Sequence, residues 1–158
     1  MKIDKPIRPL PIPVPWVFIL AYFIGLALQY LMPVPVQGTE ILLGSRIAGG
    51  VLLVVGLSLA AWSLIIFQSK HTTTSPVETS SKLVTWGPYR CSRNPMYVGL
   101  TIIYLGEAGV LVQVWPLPLL FLTLIYLQLI VITFEEKQLQ KSFGDSYRQY
   151  CAKVRRWI

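Results

Sequence analysis

A polar stretch between two apolar runs holds the residue types best suited to chemistry: Leu83 to Gly99, LVTWGPYRCSRNPMYVG. Gly87-Pro88 reads as a turn. Asn94-Pro95 reads as a helix start, with Asn94 as N-cap and Pro95 at the first helical position. The helix that follows aims its free backbone N–H groups and positive dipole end at this loop. With Arg90 and Arg93 beside it, that end makes an anion site. The plainer alternative is a basic juxtamembrane loop with an ordinary cap.

A second polar pair, Glu135-Glu136, closes a later apolar run. Adjacent carboxylates are unfavourable at the end of a helix that stops there, so they invite a partner. A short connection, Gln113-Val-Trp-Pro116, joins the two apolar runs and makes them antiparallel neighbours. Arg93, Asn94 and Tyr97 then lie beside Glu135 and Glu136. One reading is a structural ion pair with Arg90 or Arg93. The functional reading is a site for a zwitterion: Arg and the helix N-terminus for its carboxylate, Glu for its cationic or hydroxyl groups.

The elements that position these residues are membrane helices. The chain has 158 residues, 54% of them hydrophobic and 13% charged, about half the charge of a usual soluble domain. The net charge of +7 sits beside apolar spans. Anionic lipid headgroups therefore fit it better than nucleic acid does. Cys91, Cys151 and the single His71 follow no metal-ligand spacing, and both cysteines fall where disulfides do not persist. Met1 to Pro15 is a proline-rich tail. Spans are expected at residues 16–32, 47–67, 97–114 and 117–134. In the second, Gly49, Gly50, Gly56, Ser58, Ala60 and Ala61 offer small faces for close packing. After Gly144 a basic amphipathic helix is expected, with Tyr147, Tyr150, Val154 and Trp157 opposite Arg148, Arg155 and Arg156. The fold class is thus all-α, four transmembrane helices plus an interfacial helix, in a single membrane-embedded domain over 1–158. Of 14 basic residues, only Arg46 falls on the far side. Both termini are therefore expected in the cytoplasm, in an inner or plasma membrane, or in the endoplasmic reticulum of a eukaryote.

The string GPYR-x-x-RNPMY-x-G, an apolar hairpin, then EE-x-x-L-x-x-x-FG-x-x-Y-x-x-Y resembles the isoprenylcysteine carboxyl methyltransferase family, which looks related to the phospholipid N-methyltransferases. The resemblance covers about Leu83 to Trp157. It implies an integral membrane methyltransferase using S-adenosylmethionine, bound at the cytoplasmic face by residues of about 83–158, and acting on a lipophilic acceptor. By position, Gly87, Pro88, Tyr89, Arg93, Asn94, Pro95 and Tyr97 fall in the cofactor-binding stretch. Glu135 and Glu136 fall in the second cofactor-binding motif. With Arg93 they are the candidate catalytic residues. The family usually reads Arg-His-Pro where this chain has Arg93-Asn94-Pro95, and Asn cannot serve as base or cation. It often ends Val-Pro-Arg where this chain has Val154-Arg155-Arg156. HTTTSP, His71 to Pro76, lies where small prokaryotic-type members carry a similar Thr-Thr-x-x-Pro stretch.

Methyl transfer suits so sparse a site, because a sulfonium is already activated and the protein mainly aligns the groups and excludes water. A carboxylate or thiolate acceptor needs no base; an amine does, and Glu135 or Glu136 is placed to serve. Glu107 stands apart, about 15 Å along the third span, either a functional intramembrane carboxylate or a buried one, protonated or bonded to Tyr104 or Tyr126. Two other classes compete. An NADPH-dependent membrane reductase of the sterol reductase type carries a similar Arg-His-Pro-x-Tyr stretch but usually an acidic residue soon after; here Val98, Gly99 and Leu100 follow. A non-catalytic membrane protein is the third, on the strength of Asn94. Reporter fusions after Met32, Phe67, Val114 and Trp157 should place the first and third on the outer side and the other two in the cytoplasm. An outer reporter after Trp157 would overturn the orientation.

Overall fold

The computed structural model describes residues 13–69 and 83–158. No strand occurs among them. The elements are α1 (Val14–Leu31), α2 (Thr39–Ser69), a 3-10 turn (Gly87–Arg90), α3 (Pro95–Val110), α4 (Pro116–Tyr126), a π-helical turn (Leu127–Val131) and α5 (Ile132–Lys153). Residues 1–12, the HTTTSP stretch, Lys70 and Lys82 lie outside the described residues.

Among the described residues three helical runs, not the four expected, are long and apolar enough to cross a membrane: Val14–Leu31, Thr39–Ser69 and the continuous Pro116–Lys153. The span expected at 97–114 is α3, only 16 residues long. That is about 24 Å of helix, short of a hydrocarbon core of about 30 Å. Both its ends are set locally. Pro95 occupies the first turn, where its missing N–H costs nothing. Beyond Val110 the chain turns through Val112 at φ 52°, a strained conformation for a β-branched residue, and the Gln113 N–H closes on the Ala108 carbonyl at 2.9 Å. The lost length reappears elsewhere. α2 begins at Thr39 rather than 47, with Glu40 in its first turn complementing the dipole. The loop expected at 33–45 is correspondingly short.

α3 is instead held along α2 by backbone-to-backbone contact. A Cβ on Gly49 would lie 2.5 Å from the Val110 nitrogen, one on Gly56 2.7 Å from the Ile103 nitrogen, and one on Gly99 2.8 Å from the Ala60 nitrogen. The register runs up one helix and down the other, so the two are antiparallel. Gly49, Gly56 and Ala60 of the expected small face make this seam. Gly50 has nothing within 4 Å of its Cβ position.

α1 packs on α4 in the same antiparallel sense. Gly25 meets Pro116, and the Gln29 side-chain oxygen accepts the Val114 and Trp115 N–H groups at 3.2 and 3.3 Å. Between the pairs, Tyr22 and Tyr104 meet edge to face with centroids 4.9 Å apart. The Tyr104 hydroxyl donates to the Pro116 carbonyl. Leu127 and Val131 of the π-helical turn and Ile132 at the start of α5 are fully covered, whereas Leu129 and Ile130 face outward. Large apolar side chains elsewhere face outward, such as Val54 and Ile65 of α2, which suits lipid and not water.

The interfacial helix expected after Gly144 is a continuation of α5 past a kink at that residue (φ 51°, ψ −121°). Its apolar face turns onto the protein. Tyr147, Tyr150 and Val154 are buried against Leu83, Leu139 and Phe143, and the Tyr150 hydroxyl donates to the Tyr89 carbonyl at 2.6 Å.

The seam predicts opposite effects at neighbouring glycines. Gly49→Ala should destabilise the protein by about 1–3 kcal/mol, the usual effect of overpacking. Gly50→Ala should be neutral or stabilise by up to about 1 kcal/mol through helix propensity. Thermal unfolding in detergent measures both; equal effects would disprove the seam.

Candidate active site

The start of α3 and the start of α5 meet, as the hairpin reading expects. The Tyr97 hydroxyl donates to Glu135 Oε1 at 2.6 Å. Arg93 Nη1 lies 3.2 Å from Glu136 Oε1. The two carboxylates are thus partnered differently: Glu135 by a phenol, Glu136 by a guanidinium. Arg90 is exposed and takes no part in the cluster.

A second cation completes the cluster. α5 ends at Lys153, and Val154 is extended (φ −126°, ψ 132°). The extended segment 154–158 folds back across the loop. Arg156 donates Nε to Glu136 Oε1 at 3.0 Å and Nη2 to Oε2 at 2.5 Å, a bidentate pair. The Arg155 carbonyl accepts the Arg93 N–H at 2.9 Å. The Arg156 carbonyl accepts both the Ser92 hydroxyl and the Asn94 side-chain amide, at 3.1 and 3.0 Å. Arg156 is the functional-site candidate that the sequence reading missed, since it was placed on the polar face of a helix. The signal was present in the family's Val-Pro-Arg ending, whose Arg coincides with Arg156.

Asn94 departs from expectation. It stands at the N-cap position of α3, but its side chain makes no cap hydrogen bond. Its amide faces the Arg156 carbonyl instead, and Ser92 Oγ accepts the Asn94 N–H at 3.1 Å. Pro95 is at the first helical position, as read. Gly87 takes φ +63°, and a Cβ there would strike Ile66 Cδ1. Pro88 is buried beneath the turn. Burial, and then the nearby Glu135 charge, push the Tyr89 phenol above its ordinary value, so it stays neutral.

Arg93 is held on several sides yet incompletely satisfied. Its side chain is 15% exposed, Nη1 also touches Cys151 Sγ, and Nε is buried with no hydrogen-bond partner among the described residues. A buried unpaired donor of this kind is a place for a ligand acceptor.

Glu107 lies away from the cluster, one turn from the far end of α3. It lines a separate cavity of about 410 Å³ with Tyr22, Phe23 and Leu53. The expected bond to Tyr104 is not made, because that hydroxyl is on Pro116.

A family model of phospholipid methyltransferases matches residues 45–146. The chain belongs to the phospholipid methyltransferase family. Neither the curated proteins nor the solved structures give a match to the chain. The matched stretch includes Gly87 through Tyr97 and both glutamates, and stops before segment 154–158. Family membership and three span-length helices make this an integral membrane methyltransferase. Nothing in the match or in the geometry favours a reductase.

The Asn94 geometry separates two roles. A capping Asn is replaced well by Asp, whereas an amide donating to a carbonyl is not. Asn94→Ala should cost about 0.5–1.5 kcal/mol. Asn94→Asp should cost at least as much, because two oxygens would then face each other. Thermal unfolding gives the ranking, and an Asp variant as stable as the wild type would restore the cap.

Proposed function

We propose that this membrane methyltransferase uses S-adenosylmethionine and transfers a methyl group to a lipophilic acceptor, a carboxylate, thiol or amine, at the cytoplasmic face. The observation that carries this reading is the unequal partnering of the two glutamates. Glu136 faces two guanidiniums, so the Arg93–Glu136–Arg156 group carries one net positive charge. Glu135 accepts the Tyr97 hydroxyl and, among the described residues, is a carboxylate with no cationic partner. The two ends of an amino acid moiety match those charges. The residues fit the cofactor on a further count: Arg93 Nε is a buried donor without an acceptor among the described residues.

Arg93 would bind the carboxylate of that moiety, and the Arg156 pairing keeps Glu136 from competing fully for it. Glu135 would hold the ammonium group, oriented by the bond from Tyr97. The 3-10 turn, with Gly87, Pro88 and Tyr89, together with Asn94 and Pro95, would form the wall around it. When bound, S-adenosylmethionine supplies a methyl group on an activated sulfonium, so the chain needs mainly to align acceptor and donor and to exclude water. For an amine acceptor, Glu135 is also the carboxylate of the pair without a guanidinium partner, and so the one placed to take a proton. The basic residues of the loop before α3 and of α5 and segment 154–158 support the cytoplasmic placement of this face.

Calorimetry on detergent-purified protein tests the charge assignment. S-adenosylhomocysteine should bind and NADPH should not. Glu135→Gln keeps an acceptor for Tyr97 but removes the charge, and should weaken S-adenosylhomocysteine binding about tenfold, or about 1.4 kcal/mol. Unchanged affinity would remove Glu135 from the site.

A further inference from the structure

Beside the polar cluster lies an apolar groove of about 680 Å³. Its walls come from α3, through Val98 and Ile102, and from the α4–π run, through Phe121, Ile125 and Leu129, with Trp157 at one end. The groove exists because of how the helices pair. α3 lies against α2 and α4 lies against α1, so the α3–α4 seam is left partly open.

Three features tie the groove to the site. It begins at Val98, next to Tyr97. Thr101, one turn further into the membrane, also lines it and donates to the Tyr97 carbonyl at 2.8 Å. Gln128 lies two turns before Glu135 on the opposite wall, about 10 Å along the helix axis. Its side-chain oxygen accepts the Trp157 indole N–H at 2.9 Å. Gln128 sits inside the π-helical turn, and the Thr133 hydroxyl donates to its carbonyl at 3.2 Å. Such turns recur where a helix has to present a functional group.

Segment 154–158 thus divides two compartments with successive residues. Arg156 closes the polar cluster through Glu136, and Trp157 closes the apolar groove through Gln128. A Trp with its N–H satisfied and its ring on apolar surface is suited to the boundary between headgroup and hydrocarbon.

We propose that Trp157, oriented by Gln128, positions the acceptor by holding one hydrocarbon chain of a bilayer phospholipid in the α3–α4 groove, with its headgroup presented at the Tyr97–Glu135 end. This deepens the methyl-transfer reading and rests on it for the identity of the reacting end. The occupant follows from the chemistry. The groove walls are apolar, Phe121 and Leu129 are open to the bilayer, and the family match is to phospholipid methyltransferases. A polar metabolite would find no partner along the groove beyond Thr101 and Gln128. Trp157 lies outside residues 45–146, which the family model matches.

The test uses the full chain in phosphatidylcholine nanodiscs doped with a phospholipid carrying a diazirine in mid acyl chain. After irradiation, mass spectrometry should find Ile102, Phe121 and Leu129 labelled several-fold above Val54 and Ile65, which face lipid without a groove. Trp157→Ala should bring groove labelling down to the level of those controls, and Trp157→Phe should fall between. S-adenosylhomocysteine affinity should stay unchanged in both. Ile102→Trp fills the groove from the opposite wall without touching segment 154–158, and it too should abolish the excess. Groove labelling no higher than the α2 controls would overturn the proposal, as would excess labelling that survives Ile102→Trp. Excess labelling in a protein that binds no S-adenosylhomocysteine would leave the groove standing and remove the cofactor reading instead.

Discussion

A carboxylate at the edge of an apolar helical run is the constraint on which the rest depends. Glu136 is 18% exposed and cannot be left without a counter-charge at several kcal/mol. Two guanidiniums answer it, one from the loop before α3 and one from segment 154–158. Stretches of chain more than 60 residues apart are thereby joined at one point. Partner geometry then radiates outward: the Arg155 and Arg156 carbonyls take the loop's free donors, and the loop's turn is fixed against Ile66 of α2.

The two halves of the structure are stabilised by different physics. The α2–α3 seam is a matter of exclusion, in which glycines let main chains approach more closely than any side chain would permit. Lipid offers no hydrophobic incentive for helices to associate, so close approach and dispersion must suffice. The cluster above it is electrostatic and directional. A partly dehydrated setting strengthens each of its contacts and raises the cost of leaving any of them unmade.

Much of this was legible in the residues. Arg93 and Tyr97 were brought beside Glu136 and Glu135 by hairpin logic alone, since a four-residue connection leaves antiparallel neighbours as the simple option. Gly49, Gly56 and Ala60 announced a close seam. The failures have physical reasons. Hydropathy runs straight through Leu111 and Val112, so nothing in composition marked the end of α3; the positive φ at Val112 did. Asn94 read as a cap because Asn-Pro commonly is one, but a carbonyl from residue 156 competes for its amide, and local patterns do not see such a competitor. Arg156 was misplaced because helical periodicity was extended past Lys153, where the backbone becomes extended.

The π-helical turn at Leu127–Val131 acts as a phase shifter. A regular helix rotates about 100° per residue, and one inserted residue turns everything after it by that angle. Leu120, Thr123 and Leu127 are chosen to fill a core, whereas Glu135 and Glu136 must face α3 and segment 154–158. In an uninterrupted helix those two demands would be locked to a single angular relation. The inserted residue uncouples them, so the span can be repacked against α1 while the carboxylates keep their aim. A rigid rod is thereby divided into two independently indexed parts without a break in its backbone ladder.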